Sequence, residues 1–366
     1  MSEGAKIPAG FCRGFEHHAG AREFLWQTYA TGRVGSAYLF VGPYGVGKFA
    51  CALEWIRFLK CTDRTDDGAP CGRCRSCRNI ANWDHPDVMI LFPMPKSVWE
   101  SEAKLAEAYE RFREFPYECP KFAQQAGILI DMVREVQKFL STPAGTPGGK
   151  FVIIADAHAM NIQAANAFLK TLEEPPPGAH IIMTTHRADS ILPTILSRTQ
   201  IVKFNALKPE QIAHFLQEKL ELPPDRAAEL AALGGGSLAE SVRFASPEFR
   251  AIRDEAKALL EWAVEGKILP LWEWVNSAPK SIDYASTLLK VLLSASRDIM
   301  VKCAGGETVN RDMDEIIAAA AKKISSQERA AQLVREISRL GEDTARNLQY
   351  SLFYGAVVSA LVRNLS

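Results

Sequence analysis

One short segment limits what this chain can be more than any other: Gly42-Pro-Tyr-Gly-Val-Gly47-Lys48-Phe49. It follows the apolar run Ala37-Tyr-Leu-Phe-Val41 and leads into a helical stretch over about residues 48–59. A strand, a glycine turn and a helix in that order wrap backbone N–H groups and a helix N-terminus around phosphate groups, with a lysine reaching the outer ones. Gly42, Gly45, Val46, Gly47 and Lys48 are therefore candidate nucleotide contacts, and the flanking elements disfavour a plain glycine turn without a ligand. The last position of such a loop should be Ser or Thr, whose hydroxyl binds magnesium. Here it is Phe49, which offers no oxygen. A second apolar run, Phe151-Val-Ile-Ile-Ala155, ends in Asp156-Ala157, so the aspartate on the magnesium side is kept and the acid after it is not. ATP binding stays open on this reading; hydrolysis by this chain is not expected.

The surrounding pattern reads as α/β. Apolar runs at 37–41, 151–155 and 180–183 alternate with helical segments, as in a parallel sheet with crossover helices. A polar, helix-like insertion over about residues 96–125 precedes the segment 128–140, and a Pro-Gly-rich turn at 142–149 leads into the second run. After Phe204 the character changes to helices, opened by Lys208-Pro-Glu-Gln211 and again near Asp225, the latter ending at Gly234-Gly-Gly236. Past Ser246 nothing reads as strand, and Ile282, Ala285, Leu288, Leu289, Leu292 and Ile299 keep helical spacing, as do Ala330, Leu333, Val334 and Ile337. A length of 366 residues suits two or three domains. The expected division is an α/β domain over 1–205, a small helical lid over 206–245 and an all-α C-terminal domain over 246–366.

Charge narrows the partners. Lys plus Arg equals Asp plus Glu, 43 against 43, so a chain gripping DNA by itself is not expected; any nucleic-acid contact is local or shared with other chains. No apolar signal core follows the first basic residue and no run is long enough to span a membrane, which implies a cytoplasmic protein.

Four of the eight cysteines cluster as Cys61-x9-Cys71-x2-Cys74-x2-Cys77. In a reducing compartment that spacing argues for metal rather than disulfides. Four thiolates converging on a tetrahedral ion make a closed structural zinc site, with Arg64, Arg73, Arg75 and Arg78 nearby to offset charge. An iron–sulfur cluster uses similar spacing but lacks a redox partner motif here, and four free surface thiols are normally avoided.

These residues resemble a known family. A nucleotide loop and helix followed by this cysteine spacing is similar to the zinc-module insertion of the bacterial DNA polymerase III clamp-loader subunits, AAA+ proteins of the gamma/tau and delta-prime types. His85-Pro-Asp87, the stretch Asn166-Ala-Phe-Leu-Lys-Thr-Leu-Glu-Glu-Pro-Pro176 and Thr194-Ile-Leu-Ser197-Arg198-Thr199 resemble further family motifs, the last with Thr in place of Cys. The likeness is close over about residues 15–245 and weak beyond, through Arg297-Asp298 and Asn347-Leu348. Gamma/tau keeps a complete loop, an acidic pair and an arginine after the Gly-Ser of its lid; here Gly236-Ser-Leu238 is followed by Ala239. Those three losses, with Ser197-Arg198 retained and no long tail, fit the delta-prime type. The resemblance implies an AAA+ domain, a lid and a collar. It implies gamma/tau and delta subunits, the sliding clamp and primed DNA as partners, and Arg198 as an arginine finger, with Ser197, acting on a neighbour's ATP.

Plainer readings compete at several positions. Arg198 also reads as a surface arginine at a helix start, and Glu173 and Glu174 as a solvated helix end. His158, His186 and His214 read as structural, apart from any ligand set. For the whole chain, the rivals are an active gamma/tau-type or other AAA+ ATPase and a zinc-dependent DNA-binding protein outside replication.

Overall fold

The computed structural model describes residues 7–122, 124–324, 326–343 and 349–365, so Asn347 and Leu348 lie outside the described residues. The chain forms two compact units, one made of Met1–Gln211 with Gly236–Ala239, the other of Ile212–Gly235 with Glu240–Ser366.

The first unit is built on a five-stranded sheet, all parallel, in the order β2-β3-β4-β1-β5: β1 Ala37–Val41, β2 Val88–Leu91, β3 Lys150–Ile154, β4 Ala179–Thr185 and β5 Gln200–Lys203. The expected α/β class with a parallel sheet holds. The interior strands are near-continuous apolar runs because helices cover both faces of such a sheet; every residue of β3 is buried. The strands β2 and β5 were not singled out by their residues. In β5 only Val202 is buried, the pattern of a sheet edge rather than a core strand. Because all five strands run the same way, the loops after β1, β3 and β4 leave from one edge, where ligands of open α/β sheets bind.

The insertion after β2 contains a helix, Glu102–Glu114, that buries Ala108 and Phe112. Phe112 packs on Phe92 and Trp83, and the Tyr109 hydroxyl donates to the carbonyl of Ile90. A buried pair joins the other end of the sheet: Lys60 Nζ stands 3.2 Å from Asp87 Oδ2, and Asp87 also accepts the N–H groups of Gly145 at 2.7 Å and Thr146 at 2.9 Å. The His85-Pro-Asp87 motif thus ties the turn 142–149 down.

The second unit is helical throughout its described residues, as expected past Ser246. Its helices have legible ends. Pro247–Glu265 starts where Ser246 accepts the Phe249 N–H at 3.2 Å and stops at Gly266, whose φ of 72° suits a residue without a Cβ. The long helix Ile282–Cys303 packs against Pro247–Glu265, Asp314–Ile324 and Gln327–Asp343. Asp298 is buried and accepts the N–H groups of Val309 at 2.9 Å and Asn310 at 2.7 Å, so the acidic half of Arg297-Asp298 orders a loop while Arg297 is exposed. Among the described residues no helix is long and apolar enough to cross a membrane. The segment 206–245, set apart by its sequence as a lid, is shared between the two units.

Candidate functional site

The glycine loop between β1 and the helix Lys48–Lys60 has the conformation its composition demands. Gly45 and Gly47 take φ of 70° and 88°, which residues with a Cβ rarely adopt. Gly45 is fixed by packing as well, because a Cβ there would stand 2.2 Å from Ser237 Oγ and 2.6 Å from the Cβ of Ala239. The Ala239 N–H donates to the Gly45 carbonyl at 3.1 Å. The position expected to carry an arginine in an active relative therefore meets the loop with its backbone and a methyl group, and brings no charge. Val46 is buried, and its carbonyl accepts from His18 Nε2 at 2.8 Å.

Lys48 is turned back onto the loop, donating to the carbonyl oxygens of Gly42 at 2.9 Å and Pro43 at 2.5 Å. Burial lowers its pKa to about 8 against the opposing pull of Asp156. Phe49 is buried, its ring 4.4 Å from Phe112 and 5.3 Å from Trp83 between centroids. Where an active relative needs a hydroxyl for magnesium, this chain has an aromatic cluster to which the insertion adds Phe112 and the turn before β2 adds Trp83. Phe112, Tyr117, Glu118 and Cys119 of the insertion line one cleft with Lys48, Phe49 and Asp156. The room left among these side chains for the centres of water-sized atoms is about 30 Å³. Burial, then the charge of Asp156, pushes the Cys119 thiol up.

Asp156 stands at the end of β3 with φ 46° and ψ 52°, left-handed for a residue with a side chain. Burial pushes its carboxyl up, but a hydrogen bond from His186 Nδ1 at 3.2 Å and the neighbouring histidines outweigh it and hold the pKa low. His158 is lowered to about 4, chiefly by burial. Asp156, His158 and His186, which their sequence positions keep apart, each offer a ligand atom within 4.8 Å of the others. The reading of His158 and His186 as apart from any ligand set is therefore corrected. Adjacent parallel strands carry them to one edge, which spacing along the chain cannot reveal. His214 pairs with Glu218 on its own helix, at 3.5 Å.

The four clustered cysteines do converge: the Sγ atoms of Cys61, Cys71, Cys74 and Cys77 all lie within 4.8 Å of one another, a set able to hold a metal ion. Backbone amides point at the sulfurs, Cys71 N–H to Cys61 and Cys74 N–H to Cys71, each at 3.3 Å, and Cys77 N–H to Cys74 at 3.4 Å. Burial opposes ionisation of Cys74, but the amides of Cys77 and Thr62 prevail and pull its pKa to about 6. Cys77 is raised, by burial and by the neighbouring thiols. All-sulfur donors of this spacing fit zinc. The arginines are less devoted to it than their positions imply. Arg64 donates to the Phe58 carbonyl and lies over the Phe58 ring at 4.1 Å, and Arg73 pairs with Asp63 at 2.8 Å.

Arg198 sits just past the short helix Pro193–Leu196 on the first unit's surface. Its guanidinium donates to the Thr194 carbonyl at 3.0 Å and to Ser197 Oγ at 3.2 Å, and meets Glu173 Oε1 at 2.6 Å. Glu173 is thus both the solvated helix end its position suggested and the partner of Arg198; Glu174 is exposed.

Comparison with known proteins agrees with this arrangement. The protein-family model described as DNA polymerase III, delta subunit, matches residues 18–208. The DNA polymerase III subunit delta′ of Pseudomonas aeruginosa is 31% identical over 70% of this chain and 72% of its own length. The tau subunit of Bacillus subtilis is 30% identical, but over 48% of this chain and 26% of its own length. A solved gamma subunit-related protein from Thermotoga maritima covers 95% of this chain and 100% of its own at 18% identity and a TM-score of 0.41, too distant to bear on function. With the family match spanning the sheet and the site, and the delta′ relative aligned over most of both chains, this chain belongs to the delta-prime family of DNA polymerase III subunits.

Proposed function

We propose that this chain is the non-hydrolysing delta-prime-type subunit of a clamp loader. In that role it assists ATP-dependent loading of a sliding clamp onto primed DNA and supplies Arg198, with Ser197, to the ATP of a neighbouring gamma/tau subunit. The observation that carries the reading is the burial of Phe49 against Phe112 and Trp83 at the magnesium position, while Arg198 stays at the surface on an exchangeable ion pair. Magnesium needs oxygen ligands in near-octahedral array, and an aromatic cluster offers none. Lys48, Asp156 and the glycine frame belong on this reading to a degenerate nucleotide site that does not hydrolyse ATP. An active gamma/tau-type enzyme would need that cluster to open. Two measurements test the proposal together: co-purification with gamma/tau and delta subunits of the same organism, and steady-state ATP hydrolysis by the isolated chain. Stable assembly with turnover at background is expected. Failure to assemble, or turnover abolished by Lys48→Ala, would overturn it.

The finer assignments belong to the same proposal. Zinc is the metal of the cysteine set, a brace for the loop 61–77 within the AAA+ domain and not a catalytic ion, since all four positions are filled by protein. The three-part division at 1–205, 206–245 and 246–366, with a lid and a collar that carries most of the assembly contact, and a cytoplasmic location complete it. Elemental analysis of purified chain should find zinc held through Cys61, Cys71, Cys74 and Cys77, and Cys74→Ser should lower both metal content and the unfolding midpoint. Iron in place of zinc, or a metal-free chain with an unchanged midpoint, would sink the zinc assignment.

A further inference from the structure

Three potential metal ligands meet outside the cysteine set. Asp156 follows β3, His158 lies within the turn Ala157–Ala159, and His186 follows β4, all at the carboxyl edge of the sheet. His186 Nδ1 is 3.2 Å and His158 Nδ1 4.0 Å from the same carboxylate oxygen, Asp156 Oδ1. Ligands about 2.1 Å from a tetrahedral ion stand about 3.4 Å from one another, so small side-chain rotations bring these three onto one ion.

The surroundings hold the set in place. The left-handed backbone at Asp156, φ 46°, is a conformation that persists in a residue with a Cβ only where its surroundings enforce it, and such residues gather at functional sites. Thr185 Oγ1 stands 3.2 Å from His158 Nδ1 and accepts the Arg187 N–H at 3.0 Å, which orients that ring. Tyr44 meets His186 edge-on at 5.3 Å, and the two histidine rings pack edge-on at 4.4 Å. The ring packing holds the two imidazoles side by side, and an ion bound at His158 Nδ1 would take the place of the Thr185 hydroxyl there. Arg187 and Lys48 are the cations that act on His158, and the Lys48 ammonium is already bound to the carbonyl oxygens of Gly42 and Pro43.

We propose that Asp156, His158 and His186 form a second metal site in this chain, taking a divalent transition-metal ion with zinc as its ordinary occupant. Two imidazoles and one carboxylate suit zinc, cobalt or iron(II), whereas magnesium favours oxygen ligands and a retained water shell. Three protein ligands leave a fourth position open, unlike the closed cysteine set. The aspartate that in an active relative faces magnesium would here be drawn, with two histidines, into a site made by the protein alone. The proposal does not depend on the clamp-loading role.

Metal-free full-length chain titrated with Zn²⁺, and separately with Co²⁺ as an optical probe, tests it. Wild type should bind a second equivalent beyond the one held by the cysteines. His158→Gln and His186→Gln should each lose that equivalent while keeping the intense sulfur-to-cobalt band of the cysteine set. Cys74→Ser should weaken that band and leave the second, nitrogen and oxygen site still able to bind its ion. Excess Mg²⁺ should not displace the second ion. A single equivalent in wild type overturns the proposal before any variant is made, and unchanged stoichiometry in both histidine variants overturns it as well.

Discussion

The loop at Lys48 and the corner at Arg198 lie on one sheet domain, yet their charged residues are placed in opposite ways. At the loop, Phe49 is buried with Phe112 and Trp83, and side chains of the insertion line the cleft. At the corner, Arg198 stays at the surface, held by Glu173 and by its own short helix. A buried aromatic cluster is costly to open; a surface ion pair is worth about 0–1 kcal/mol and is easily exchanged. The difference is one of access: Lys48 is buried against its own loop, whereas Arg198 is exposed.

The largest effect should come from the corner. An arginine finger supplied in trans is worth about 10³ to 10⁵ in rate. In a reconstituted complex, Arg198→Ala should leave folding, zinc and assembly intact. It should lower hydrolysis at the neighbouring ATP by at least about 10³-fold, the whole-complex rate falling less because other sites keep their own arginines. Equal clamp-stimulated ATPase for wild-type and Arg198→Ala complexes at matched assembly would erase the contrast between corner and loop.

The loop should respond in stability instead of rate. Restoring the missing hydroxyl with Phe49→Ser removes a ring from a packed cluster, a change that costs about 3–5 kcal/mol for buried aromatic truncations. Urea unfolding should show the loss, and ATP turnover should stay at background because Phe112, Tyr117 and Cys119 still line the cleft. Turnover appearing in Phe49→Ser would mean that the aromatic side chain alone silences the site.

The smallest effect should be at Glu173. Glu173→Gln removes the 2.6 Å ion pair from a half-exposed arginine, so folding stability should change by no more than about 1 kcal/mol. A larger loss in thermal unfolding would show that Glu173 anchors this corner and does not merely hold Arg198 until a phosphate replaces it.

Much of the first unit was legible in its residues. The runs at 37–41, 151–155 and 180–183 mark β1, β3 and β4 because strands buried on both faces are apolar throughout. The strand β5 escaped notice because three of its four residues are exposed. The cysteine set could be read because its ligands fall within one short loop, where chain geometry alone brings them close. His158 and His186 could not be read, since 28 residues separate them and only the pairing of β3 with β4 brings their ends together.

By itself the sequence determined which atoms are present: no hydroxyl at Phe49, no second acid at Ala157, four sulfurs at metal spacing and an arginine kept after Ser197. Those are properties of local covalent chemistry, and a loop of a few residues carries them whatever its surroundings. The tertiary structure alone decided that side chains of the polar insertion line the cleft at Lys48, that Ala239 packs on Gly45 and that Asp156 gathers two histidines. Each of these is a distance between residues far apart in the chain, set by sheet register and by how helices pack on it, and no local pattern encodes such a distance.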